Sequence, residues 1–336
     1  MRMRRIKVPA AERAAVYHCV TRTVNGEFLF DEQAKEILRK HLRQAERFCG
    51  VEILTFCILD NHFHVLVKVP QLPGNISDRE LLARYSALYP KPTKFQQASL
   101  AVIAERLQSG SPEAEALRAQ LLSRMNDVSE FMKIVKQRFT VWFNRSHNRY
   151  GTLWAERFKS VLVENTPKAL QTVAAYIDLN PVRAGLVDDP ADYRWCGFAE
   201  AMAGVSEARE GLASAVFAQE YGLDSWRKVI VRYRALLGAE GSTLRPGQER
   251  KVRMDRAAAV QMMESGQQLP LSDALRCRVR YFTDGALLGS KEFISGWLSA
   301  HKDRLRPRLS THSKPLRGAD WGDLVVYRGL RRRVFG

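Results

Sequence analysis

The run Ile58-Leu59-Asp60-Asn61-His62-Phe63-His64-Val65-Leu66-Val67 restricts the fold more than any other stretch of the chain. Phe63, Val65 and Val67 recur at every second residue, the period of a β-strand. His62 and His64 therefore leave the opposite face side by side. Asp60-Asn61 reads as a tight turn from a preceding strand over residues 51 to 59, and Pro70 ends the histidine strand.

The neighbouring segments supply the rest of a sheet. Residues 16 to 23 alternate as a first strand. Asp31 is placed to cap a helix reaching Phe48, with Ile37, Leu38, Leu42 and Ala45 at helical spacing and Gly50 as its stop. A polar, mostly helical insertion occupies residues 72 to 125, broken at Pro90, Pro92 and Gly110-Ser111-Pro112. Residues 128 to 144 form an amphipathic helix whose buried stripe is Val128, Phe131, Met132, Val135, Phe139 and Phe143. Residues 151 to 164 return to strand character. Thr166-Pro167 then opens a helix that turns Leu170, Val173, Ala174 and Ile177 inward and stops near Asn180-Pro181.

Without the insertion the order is βαββαβ followed by a helix. It predicts an α+β fold: a ferredoxin-like antiparallel four-stranded sheet with helices on one face, the histidine strand central beside the first. We assign residues 1–200 to this unit. Residues 201–336 form a mainly α-helical, basic C-terminal region, a candidate DNA-binding accessory. Residues 271–279, 285–289 and 292–299 have a helix–turn–helix spacing that any αα-hairpin shares.

A net charge of +17 over 336 residues makes a polyanion the natural partner, and nucleic acid ranks above membrane. No apolar run approaches the roughly 20 residues of a membrane span. Met1-Arg2-Met3-Arg4-Arg5 is not followed by a signal-peptide core, so a cytoplasmic protein is expected. The five cysteines are scattered without a CxxC pair, which predicts reduced thiols and no structural zinc.

Two imidazoles two apart on a strand can share one divalent cation while leaving positions for substrate oxygens. The same pair can also be idle residues on a sheet face. Tyr176 and Asn180 lie four apart, on one face of their helix. A phenol near a metal or positive charge is a nucleophile for phosphorus, although a helical tyrosine is ordinarily a packing residue. Asn180 is open to two readings, a third metal ligand or a helix C-cap before Pro181. His18 is either a base for Tyr176 or a packed sheet histidine. Candidate DNA contacts are Lys133, Lys136, Arg138, Arg145, Arg149, Arg157 and Lys159, with Tyr150 and Trp154 as stacking platforms. Core packing is the competing role for Trp154. Arg157 and Lys159 alternate on one strand face, and the tail ending Arg331-Arg332-Arg333 is suited to tracking phosphates.

Four blocks in order resemble the HUH single-tyrosine transposase superfamily, and within it the REP-associated tyrosine transposases. They are Tyr17-His18, residues 60 to 67, residues 153 to 160 and residues 176 to 185, so the resemblance covers roughly residues 14 to 200. It implies a domain that cuts and rejoins single-stranded DNA beside hairpins through a 5′-phosphotyrosine. By position it implies His62, His64 and Asn180 as ligands of Mg²⁺ or Mn²⁺, and Tyr176 as nucleophile. Many relatives carry glutamine where this chain has Asn180. Relatives also work as dimers that exchange tyrosine helices, so a monomer or a homodimer is expected here. No P-loop is visible, in keeping with a reaction that needs no nucleotide cofactor. The alternatives are a non-catalytic, domesticated DNA-binding protein and a metal phosphodiesterase that uses water.

Overall fold

The protein is described from a computed structural model over residues 6–72, 74–238, 255–277, 279–301 and 313–327. The first half runs β1 (Ala15–Arg22), α1 (Glu32–Cys49), β2 (Glu52–Ile58), β3 (His62–Val69), α2 (Asp78–Ser86), α3 (Lys94–Gln108), α4 (Pro112–Leu122), α5 (Val128–Ser146), β4 (Lys159–Val163), α6 (Pro167–Asp178) and α7 (Asn180–Arg183). The signals behind α1 act as read: the Asp31 side chain accepts from the Ala34 N–H, and Gly50 closes the helix at φ 63°. Helices α2 to α4 fill the insertion, and Pro167 begins α6. The second half runs α8 (Gly197–Met202), α9 (Ser206–Ala215), α10 (Trp226–Leu236), α11 (Arg256–Glu264), α12 (Leu271–Arg276), α13 (Tyr281–Asp284), β5 (Leu287–Gly289), α14 (Lys291–Ala300), β6 (Lys314–Pro315) and β7 (Val325–Tyr327).

The α+β class stands, and β3 lies between β2 and β1 with β4 on the far side of β1, each pair antiparallel. Two expectations are corrected. The sheet has seven strands in the order β2-β3-β1-β4-β5-β7-β6, because β5 adds parallel to β4 and brings β7 and β6 with it. Helices cover both faces instead of one. Phe63, Val65 and Val67 pack with α1 and α5, whereas Leu66, Val16 and Val161 pack with α6, α8 and α9. Strand β2 already carries the reason, since Ile53 to Ile58 are buried without alternation, the pattern of a strand covered on both sides. Helix α9 reaches β2 through Gly211, where a Cβ would sit 2.3 Å from the Ile53 carbonyl oxygen.

The second half is also less helical than its composition suggests. The stretch read as a helix–turn–helix holds strand β5 between α13 and α14. Two- and three-residue strands are too short to show a period. Strand β4 begins at Lys159, so Arg157 precedes it and the two do not alternate on one strand. The arginines of the tail lie outside the described residues. Among the described residues no helix is long and apolar enough to cross a membrane.

Candidate active site

Register brings the imidazoles together. Val20 of β1 stands opposite His64 and Arg22 opposite His62, while His18 faces Leu66 of β3 and Val161 of β4. His18, His62 and His64 share one face. Ring centroids of His62 and His64 are 5.1 Å apart, as are those of His18 and His64. His18 Nε2 and His64 Nδ1 are hydrogen-bonded at 2.9 Å, and His18 Nδ1 donates to the Phe282 carbonyl at 2.7 Å. His62 Nδ1 donates to Asn61 Oδ1 at 2.6 Å. Burial holds His18 down at about 4 and His64 well below the usual imidazole range, so both rings are neutral at pH 7. His18 is a packed histidine, with both ring nitrogens committed.

Tyr176 arrives from α6, which covers this face. Every residue of that helix from Ala169 to Asp178 is buried, and small residues such as Ala174 and Ala175 let it lie close. The Tyr176 ring is 6.3 Å, centroid to centroid, from both His64 and His18. It is 3% exposed, with Phe282 on one side at 4.8 Å and the Arg183 guanidinium stacked over it at 3.9 Å. Arg183 also donates to the Leu275 carbonyl at 2.6 Å and the Tyr176 carbonyl at 2.5 Å. These bonds hold a buried cation on the ring face.

Asn180 begins α7 one turn beyond Tyr176. Its Nδ2 donates to the Ile177 carbonyl at 2.9 Å and the Tyr176 carbonyl at 3.4 Å, so the capping role is realised. That geometry leaves Oδ1 as the atom suited to a cation. Asp178, two residues earlier, is wholly buried. It accepts from Thr55 Oγ1 at 2.7 Å, from Tyr233 Oη at 2.5 Å and from the Phe198 N–H at 3.4 Å. Burial raises its carboxyl to about 7 against the pull of those donors.

The donor set fits a divalent ion of modest demand. Each strand histidine has Nδ1 bound to a neighbour, so Nε2 is the ring nitrogen through which it would hold a metal, and the Asn180 amide has an oxygen to offer. Among the described residues no three His, Cys, Asp or Glu side chains gather to hold a metal. An ion here would thus take its remaining ligands from substrate oxygens or water.

The DNA-contact candidates divide between the two sides of the sheet. Helix α5 packs on the face opposite the histidines. Its outer surface and the segment before β4 form a cleft of about 760 Å³ lined by Lys133, Lys136, Val141, Trp154, Arg157 and Phe158, among others. Trp154 is a buried wall of that cleft, not an exposed platform, because its indole N–H donates to Thr140 Oγ1 at 2.8 Å. Tyr150, by contrast, is exposed. Arg138 turns inward, donating to the Leu88 carbonyl at 2.6 Å and lying over Tyr89, so it clamps the insertion to α5. Arg145 is exposed at the last turn of α5, and Arg149 pairs with Glu27 at 3.8 Å. Lys159 belongs to the histidine face: it stands opposite Val20, which stands opposite His64, and it pairs with Asp284 at 3.5 Å.

Sequence reasoning missed Arg22, Asn61, Arg183 and Phe282 as parts of this centre. Arg22 could have been found by extending the β1 alternation from His18 through Val20. The others carry no local signal.

Residues 12–76, which include β1 and the histidine strand, match the family model described as Transposase IS200 like. A solved REP-associated tyrosine transposase bound to a REP hairpin aligns at 16% identity and a TM-score of 0.38, covering 61% of this chain and 86% of that one. No curated protein sequence matches the chain.

Proposed function

We propose that this protein is a metal-dependent single-stranded DNA endonuclease and strand transferase that cuts beside hairpins and holds the DNA on Tyr176. One observation carries the reading: the phenol ring lies 6.3 Å from His64, on the face where His62 and His64 stand side by side. The IS200-like match over the histidine strand supports it. A divalent metal, Mg²⁺ or Mn²⁺, held by His62 Nε2, His64 Nε2 and Asn180 Oδ1, would supply Lewis-acid polarisation of the scissile phosphate.

The chain's own residues do the rest. Tyr176 Oη gives up its proton to solvent and forms the new bond to phosphorus, the bond from phosphorus to the 3′ oxygen breaks, and the departing 3′ oxygen takes up a proton from solvent, so the net transfer is from phenol to 3′-hydroxyl. The 5′ end stays on the tyrosine as a phosphodiester of similar energy, so a 3′-hydroxyl can later reverse the step onto the same or another strand. Arg183 keeps a permanent positive charge on the ring face while negative charge passes through the phenolic oxygen. Arg22 and Lys159 flank the histidines on the same face and are suited to phosphates of the bound strand. Lys133, Lys136 and Arg157 offer a second set on the far side for the hairpin, with Arg145 and Arg149 as further candidates beyond the cleft.

The test is a covalent adduct. A single-stranded hairpin oligonucleotide incubated with the full chain and Mn²⁺ should give a species of retarded mobility in a denaturing gel. Tyr176→Phe should abolish it while melting near the wild-type temperature. An adduct that persists in this variant ends the reading, and cleavage without an adduct in both proteins points to water as nucleophile.

A further inference from the structure

His62 and His64 are each backed by a hydrogen-bond chain that ends on a main-chain carbonyl, and a carbonyl can only accept. From the Phe282 oxygen inward, His18 Nδ1 must carry a proton to make its 2.7 Å bond. A neutral imidazole has one N–H, so His18 Nε2 holds a lone pair. His64 Nδ1 must then donate across the 2.9 Å contact. His64 Nε2 is left as the lone-pair nitrogen.

The second chain has the same logic. Asn61 Nδ2 donates to the Gly26 carbonyl at 2.9 Å, which turns its Oδ1 toward His62. That oxygen can only accept, so His62 Nδ1 carries the proton of their 2.6 Å bond. Both strand histidines thus carry a proton on Nδ1 before any ion arrives. His18 has no exposed surface, so its ring has no room to reorient.

Resting on the metal-dependent reading above, we propose that His18 is a positioning residue. It passes the Phe282 carbonyl's demand for a proton to His64 and so points the His64 Nε2 lone pair at the metal. Phe282 belongs to α13, far along the chain from the histidine strand. The C-terminal region therefore helps build the metal site in the same molecule, through one main-chain oxygen and one buried ring. Outer partners of this kind typically contribute roughly 10–100-fold in metal affinity.

Two measurements on the full chain test this. Long-range ¹H–¹⁵N spectra of the metal-free, histidine-labelled protein should show His18 and His64 protonated on Nδ1 and bare on Nε2, and His62 protonated on Nδ1. A proton on His64 Nε2 overturns the proposal without any substitution being made. Mn²⁺ binding, followed by the resonance of the free ion, should weaken by roughly 10–100-fold in His18→Leu. It should recover to within a few-fold in His18→Gln, whose amide can accept from His64 and donate to Phe282. Unchanged affinity in His18→Leu, or equal loss in both variants, overturns it. Failure of the wild type to form a DNA adduct would count against the nuclease reading alone, since neither the tautomers nor Mn²⁺ binding depend on it.

Discussion

Asp178 gives the sharpest quantitative prediction, because a buried carboxyl without a cation makes folding depend on pH in a known direction. Its ordinary value is 3.8 and burial raises it to about 7. Below pH 4 the side chain is protonated in both folded and unfolded chains and is neutral for stability. Between pH 4 and 7 the unfolded chain releases the proton while the folded chain keeps it, so stability falls as pH rises. Above pH 7 both forms are ionised and the loss levels off at roughly 4 kcal/mol, at about 1.4 kcal/mol per pH unit. Asp178→Asn removes the titration. Its oxygen can still accept from Thr55 and the Phe198 N–H, while Tyr233 loses an acceptor, a cost of about 1–3 kcal/mol that pH does not change. Urea unfolding of both proteins from pH 4 to 8 should show the wild type losing on the order of 4 kcal/mol relative to the variant. A difference that stays flat across that range would refute the reasoning, because it would mean that Asp178 ionises in the folded chain as it does in the unfolded one.

Two further substitutions probe the surroundings of the tyrosine and the cleft. Arg183→Lys keeps the charge but cannot stack flat on Tyr176 while donating to two carbonyls. It should cost about 2–4 kcal/mol in chemical denaturation, and a change within about 0.5 kcal/mol would show that the guanidinium geometry is unimportant. Combining Lys133→Gln with Arg157→Gln should lower the salt dependence of hairpin binding, measured as the slope of log affinity against log salt, by about 1–2. An unchanged slope would remove the cleft from the DNA path.

What the sequence made legible follows from the range over which each signal acts. The Asp31 cap, the Gly50 stop and the Pro167 start are local backbone chemistry, and all three operate as read. The two periods were equally direct: every second residue put His62 and His64 on one face, and helical spacing turned Leu170, Val173, Ala174 and Ile177 inward. Pairing was a different matter. That His64 lies beside His18, with Arg22 next to His62, depends on the register of β1 against β3, to which alternation alone is blind. Which side of the sheet α5 would occupy was equally hidden, and the basic candidates fall on both sides of it. The Phe282 carbonyl is the extreme case, since a main-chain oxygen has no residue identity to read.

The C-terminal region is where these limits meet, and its contacts bear on how the centre is held. Leu275, Phe282 and Tyr233 all come from the second half of the chain, and they engage Arg183, His18 with Tyr176, and Asp178 in turn. Each contact falls on a buried polar group, and removing a hydrogen-bond partner from such a group costs about 1–3 kcal/mol. Strand β5 beside β4 anchors the same segment to the sheet. A tyrosine helix tied at three points is held against its own histidines, and leaving them to reach another molecule's site would break all three contacts together.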